Sequence, residues 1–211
     1  MMAVPPELGG ADSYPVSGRQ GFVILNPNIR FGSFATDQVR RGITVGSGEL
    51  EPGLLSSTSK SERHTVTTFS MQGWRGMCEA RHESETTTEI TGAGVSSEHG
   101  AYWDKSQSVT QTDSYRCDLS AKDRRLHLEL GSAEGWVLDA AGSTVYRLSS
   151  IREAMTMKHP ELRGYLIEAG SGGVAAVQSS FDGVVYFSRS VEPKQRAELA
   201  VVSVAVLLYP H

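Results

Sequence analysis

The chain has 211 residues, 39% of them hydrophobic and 21% charged, with 22 glycines and a formal net charge of −4. That length supports one full hydrophobic core, and the composition excludes an intrinsically disordered chain. No Lys/Arg block is present, which argues against a nucleic-acid partner, and no run reaches the roughly 20 apolar residues of a membrane-spanning helix.

In chain order, residues 1 to 20 read as a flexible lead-in rich in Pro, Gly and Ser, with residues 21–211 as a single β-rich domain. Met1 to Gly10 has neither the cationic start nor the apolar core of a signal peptide. The doubled Met1-Met2 is what a start placed ahead of a processed mature sequence looks like. Phe22-Val23-Ile24-Leu25, closed by the turn signal Asn26-Pro27-Asn28, predicts a strand. Thr36 to Arg41 fits a helical turn or a strand equally well. Gly46 to Ser61 reads as a loop, and His64 to Trp74 as a strand.

Residues 81 to 114 are the most polar third, with Thr86-Thr87-Thr88 and repeated Ser, Glu and Gln. Ile90, Val95, Tyr102, Trp103 and Val109 recur through them, which fits Thr-rich strands with one wet face. Leu126-His127-Leu128-Glu129-Leu130 alternates as a half-buried strand does. Trp136 to Leu148, turning at Asp139-Ala140-Ala141-Gly142-Ser143, predicts a β-hairpin. A second hairpin is expected from Val174 to Ser188, turning at Ser180-Phe181-Asp182-Gly183. Between the two, Ser150-Ile151-Arg152-Glu153 fits a capping box opening a short helix before Pro160.

Pro193 then stands where a helix tolerates proline, followed by good helix formers from Lys194 to Glu198. From Leu199 to Tyr209 only Ser203 is polar. A helix apolar on every face must be buried on every side. A central valine-rich strand is the competing reading; the proline start and the alanines favour the helix. The fold class that follows is mainly β, an antiparallel β-barrel or sandwich with a buried hydrophobic C-terminal helix.

Several hairpins followed by one wholly apolar C-terminal helix resemble the tubby-like barrels, the superfamily of the LURP-one-related proteins and phospholipid scramblases. Gly173-Val174-Ala175-Ala176-Val177, Gly183-Val184-Val185-Tyr186-Phe187 and Leu199 to Leu208 look like their last hairpin and core helix. Leu138-Asp139-Ala140-Ala141-Gly142 is similar to their earlier strand–Asp–Gly–strand unit. The resemblance covers about the last 75 residues and implies a β-barrel closed around the helix. No phosphoinositide- or calcium-binding motif of those families is recognisable, so neither activity is implied. The same C-terminal pattern, with Phe31-Gly32 and Val39-Arg40-Arg41-Gly42, also resembles bacterial lipoproteins of unassigned function.

Chemistry-bearing residues are sparse. Cys78 and Cys117 both sit among strand-like residues and leave two readings open: separate buried thiols, or one disulfide, which would imply an oxidising compartment. No C-x-x-C spacing supports zinc or thioredoxin-type chemistry. His82 and Glu83 beside Glu79 and Glu85, with His99, could be read as a metal cluster. On a strand, however, 79, 83 and 85 share one face and His82 points away, so a solvated face is the stronger reading. His64, His127 and His159 have no paired nucleophile at a telling spacing, and Trp74, Trp103 and Trp136 fit core filling better than a ligand pocket. No catalytic, cofactor or metal residue is assigned, and no hydrolase, P-loop, zincin or dinucleotide fingerprint occurs. The expectation is a non-catalytic binding or interaction module of the cell envelope or periplasm, taking a protein or lipid ligand. The alternatives are a hydrolase-like enzyme whose groups converge only in three dimensions, and a cytoplasmic location.

Overall fold

Short turns between alternating segments build most of the described residues into strands. The computed structural model describes residues 6–19, 28–42, 45–53, 56–96, 100–152, 164–180 and 182–209. In chain order the strands are β1 (Asp12–Pro15), β2 (Arg30–Phe31), β3 (Phe34–Ala35), β4 (Gln38–Arg41) and β5 (Val45–Pro52). The long strands β6 (Ser56–Met71), β7 (Trp74–Ser96) and β8 (Gly100–Ala121) follow. The rest are β9 (Arg124–Leu130), β10 (Glu134–Asp139), β11 (Thr144–Ile151), β12 (Gly164–Ala169), β13 (Gly172–Gln178) and β14 (Val184–Phe187), before the helix α1 (Pro193–Leu207).

Twelve strands form one antiparallel sheet in the order β1-β14-β13-β12-β11-β10-β9-β8-β7-β6-β4, with β5 also paired to β6. From β5 to β14 each strand pairs antiparallel with the next, while β1 with β14 and β4 with β6 join strands that are not consecutive. Between β10 and β11 the Asp139 carboxylate accepts from the backbone N–H of Ala141 and Ser143, both at 2.9 Å, while Gly142 takes φ 80°. That is the Asp–Gly turn chemistry read in the sequence. In β9 the burial alternates strictly toward Leu130, as Leu126, Leu128 and Leu130 face the core. Gly76, opposite Phe69, leaves space for its ring: a Cβ there would lie 2.2 Å from the ring's Cε1.

The helix is buried on every side. Leu199 to Leu207 are 0–1% exposed without interruption, and nine consecutive helical residues point in all directions around the axis. The sheet must therefore curve about α1, and its residues share one core cluster with those of β6 to β14. Ser203, the one polar residue among these nine, donates from Oγ to the Leu199 carbonyl one turn back at 2.7 Å. Near the helix N-terminal end, Glu198 accepts from Tyr146 Oη at 2.7 Å and from Arg124 Nε at 3.0 Å, tying α1 to β11 and β9.

Several expectations need correction. Among the described residues the sheet does not close into a barrel: its two ends, β1 and β4, are not paired with each other. The seam between them is filled by the β2–β3 hairpin, held to one side by the Ser17↔Arg30 bridge. On the other side Asp37 N–H donates to Ser70 O. Phe31 and Phe34 pack there on Phe187, with ring centroids 6.4 and 5.9 Å away, so apolar packing fills the seam where ladder bonds do not.

The stretch read as a lead-in contributes to the fold from residue 6 onward. Leu8 is buried in a single 3₁₀ turn, β1 pairs with β14, and Arg19 donates from Nε to the Leu207 carbonyl at 2.9 Å and from Nη1 to that of Ser179. A cation at the helix C-terminus complements its dipole, and α1 has no basic residue of its own in its last turn. The loop expected over Gly46 to Ser61 is instead β5 and the start of β6, because strand neighbours supply the hydrogen bonds that Gly- and Ser-rich sequence does not demand locally. Gln38 to Arg41, left open, is strand β4. Ser150 and Ile151 end β11, with Ser150 N–H donating to Ala133 O, rather than capping a helix. The expected strand at 22–25, the helix beyond Arg152, His99 and His159 lie outside the described residues, as does the side chain of Trp103.

Candidate functional site

The feature that the core does not explain is the length of β6, β7 and β8. Among the residues whose side chains are described, only the ends of these strands nearest the helix are buried: Thr67, Phe69 and Met71 on β6, Trp74 and Cys78 on β7, Tyr115, Cys117 and Leu119 on β8. Beyond them β8 continues outward from Ser114 to Gly100, paired throughout with β7. At about 3.4 Å per residue this projection reaches roughly 50 Å. With β5 on its far side it forms a four-stranded blade, β5-β6-β7-β8, standing out from the core.

Alternation gives the blade two different faces. One continues the outer face of the core and carries the carboxylates. Glu62 lies directly opposite Glu83, and the next row holds Glu49, Lys60, Glu85 and Thr110. Like charges in a cross-strand pair oppose each other, so this row does not stabilise the sheet; the Lys60–Glu85 contact at 3.9 Å between half-exposed groups offsets little of that. The other face continues the core side and is neutral through its middle, with the rows Gly48-Ser61-Ser84-Gln111 and Leu50-Ser59-Thr86-Val109. Ser61 and Ser84 share a hydrogen bond at 2.8 Å. Leu50 and Val109 are 67% and 55% exposed, at opposite margins of this neutral face.

At the blade's root Cys78 and Cys117 are joined by a disulfide, their Cα atoms 4.0 Å apart as direct cross-strand neighbours. Both are buried against the core cluster. The bridge locks β7 to β8 at the place where the sheet stops being held by apolar packing.

The described histidines, His64, His82 and His127, are placed in cross-strand pairs rather than gathered into a centre. His64 Nε2 lies 2.6 Å from Glu79 Oε1, which Arg81 Nη2 also contacts at 2.9 Å. These hydrogen bonds, that from Arg81 foremost, hold the Glu79 carboxyl below the usual carboxylate range. His82 faces the other way and pairs with Asp113 at 2.5 Å. His127 pairs with Asp118 at 2.9 Å. Among the described residues no group of three or more His, Cys, Asp or Glu side chains could hold a metal ion. Glu79, Glu83 and Glu85 share a face away from His82, as strand alternation requires. Trp74 fills the core as expected, whereas Trp136 lies on the surface beside a notch of about 520 Å³. That notch opens where the outer edge of β8 parts from the β9–β10 turn.

The blade was not recognised in the sequence as a projection. Its signal was the run of polar alternation without the periodic large apolar residues that a core-covering strand requires. No family model, curated protein or solved structure matches this chain.

Proposed function

We propose that this chain is a non-catalytic interaction module of an oxidising compartment, the bacterial cell envelope, with the blade as its binding surface. The observation that carries the reading is the blade itself: strands extended far beyond what the core needs, exposed on both faces and pinned at the root by a disulfide. Building such a structure without apolar burial gains little stability, so a surface role is its physical rationale. The disulfide supports the compartment, since such bridges persist outside the reducing cytosol. The curved sheet around an apolar C-terminal helix supports a tubby-like frame, in which the β2–β3 hairpin stands at the seam that ladder bonds close in a complete barrel.

The chemistry of the blade favours a protein over a lipid ligand. Its carboxylate-bearing face repels anionic headgroups, and backbone edges and hydroxyl rows pair with extended polypeptide. A shortened chain tests this, with one Asn-Gly turn joining Gly48 to Ser61 and another joining Ser84 to Gln111, positions that share one row of the sheet. Both chains are immobilised and exposed to envelope protein and to phosphatidylglycerol vesicles. Retention of an envelope protein by the full chain and its loss by the shortened one, at equal melting temperature, is the expected result. Equal retention by both, capture of vesicles alone, or turnover of ester, peptide or glycoside substrates would overturn the proposal.

A further inference from the structure

The margin of β8 facing away from β7 has no strand on it from Gly100 to Ser114 among the described residues, because β9 pairs only from Tyr115 onward. The 4.0 Å Cα separation of Cys78 and Cys117 is that of a narrow, non-hydrogen-bonded pair, so the backbone N–H and C=O of Cys117 point away from β7. Register is unbroken from there to Ile90↔Lys105. The backbone groups of Asp113, Gln111, Val109, Gln107 and Lys105 therefore point outward as well. Proteins blunt such margins with proline, bulges or repeated charge. Between Ser106 and Thr112 this one has no proline and no charged residue.

The residues along this margin are nearly symmetric about Val109. Laid antiparallel on itself with Val109 opposite Val109, the strand sets Ser108 against Thr110, Gln107 against Gln111, Ser106 against Thr112 and Lys105 against Asp113. The two charged pairs are complementary, the amide and hydroxyl pairs match in kind, and the exposed valines meet at the centre. Because the outward-pointing residues face one another in this register, each such pair exchanges two backbone hydrogen bonds, roughly ten in all.

We propose that the outer margin of β8 pairs with the same margin of a second copy of this chain, about a two-fold axis through Val109. The inference rests on the blade being the interaction surface and names its partner. Over residues 105–113 of each β8 the two blades then form one continuous eight-stranded sheet with its neutral faces on the same side and Leu50 at either flank. Residues 100–103 of each copy fall on the row that β9 occupies beside Tyr115 to Asp118 of the other, and must turn out of the sheet at the Ile90/Gly92 bulge to clear it. Asp113 keeps His82 as its neighbour within the chain and gains Lys105 of the second copy across the axis.

Sedimentation velocity on the full, oxidised chain, from about 1 to 200 µM to span the affinities of small interfaces, is the test. The wild type is expected to pass from monomer to dimer over that range. Val109→Pro removes an outward N–H without touching the β7 ladder, and is expected to stay monomeric with an unchanged melting temperature. Lys105→Asp and Asp113→Lys, each alone, should weaken the dimer tenfold or more, since each puts like charges opposite one another twice. Mixing the two single variants should restore assembly, because every introduced charge then faces its opposite. A wild type that is monomeric throughout, or a dimer that survives Val109→Pro, or single variants that the mixture does not rescue, overturns the self-pairing. If the wild type is monomeric yet blade shortening still abolishes capture of an envelope protein, self-pairing fails and the blade as a binding surface stands.

Discussion

The Tyr115 hydroxyl, on β8, donates a 2.7 Å hydrogen bond to the backbone carbonyl of Ala205 in the last turn of α1. Carbonyls at a helix end lack part of their intrahelical pairing, so a strand side chain supplies what the helix lacks. The same ring packs edge-on against Tyr209, centroids 5.1 Å apart. One residue thus joins the root of the blade to the end of the buried helix.

Tyr115→Phe keeps the ring and leaves that carbonyl without its hydroxyl partner. The Ala205 carbonyl keeps a 3.2 Å bond from the Leu208 N–H, so the cost is that of one net hydrogen bond, about 0.5–1.5 kcal/mol, or a fall in melting temperature of roughly 1–6 °C for a chain of this size. Thermal unfolding followed by circular dichroism measures it. An unchanged midpoint would show that the bond contributes nothing net.

Val204 is fully buried on α1, whereas Lys194 is exposed in its first turn. Val204→Asp places a carboxylate among the buried apolar side chains of the core, and loss of soluble expression is the expected outcome. Lys194→Asp should leave yield and melting temperature within experimental scatter. Equal yields of the two variants would mean that α1 is not the organising element of the core.

The disulfide closes a loop with a sequence separation of 39 residues. Restricting the unfolded chain over that length contributes up to about 4 kcal/mol in the chain-entropy account. The double variant Cys78→Ser, Cys117→Ser should therefore unfold at markedly lower denaturant, and dithiothreitol should reproduce the shift in the wild type but not in the variant. Hydrogen exchange should rise first in β7 and β8 outward of the lost bridge, where no apolar core holds the strands.

Burial raises the phenol pKa of Tyr115, Tyr146, Tyr165, Tyr186 and Tyr209, and for Tyr146 the bond to Glu198 adds to it. Their folded values lie above the unfolded value near 10. The stability they contribute is therefore complete below about pH 10 and is lost as pH rises toward the folded values, with unfolding drawn to alkaline pH. An absorbance titration at 295 nm should show a minor early tyrosinate step and a larger one coincident with loss of the circular-dichroism signal. A single step near pH 10 with structure retained would contradict the buried placement of these rings.

Local chemistry was sufficient wherever one segment carries its own reason. The run from Leu199 to Leu208 is apolar on every face, so its burial was legible before any neighbour was known, and Pro193 with the alanines favoured a helix over a central strand. Asp139 and Gly142 make their turn with atoms from five residues, and Leu126 to Leu130 declare their buried face by alternation alone. The rest depended on partners distant in the chain. Gly46 to Pro52 and Ser56 to Ser61 become strand because they pair with each other and β7 lies beside them, and nothing in Gly, Ser or Thr demands that pairing. Arg19 is held at the end of a helix nearly two hundred residues away, which no local pattern records. Whether Cys78 and Cys117 are bridged, and whether the sheet closes, are questions of register and of how far the sheet curves. The pairing of β7 with β8 sets the first, and the wrapping of the sheet about α1 with the β2–β3 hairpin between β1 and β4 sets the second. The blade belongs to the same class: polar alternation encodes a strand with wet faces, but only the position of the last buried pairs, Thr67, Cys78 and Tyr115, decides where the core ends and the projecting surface begins.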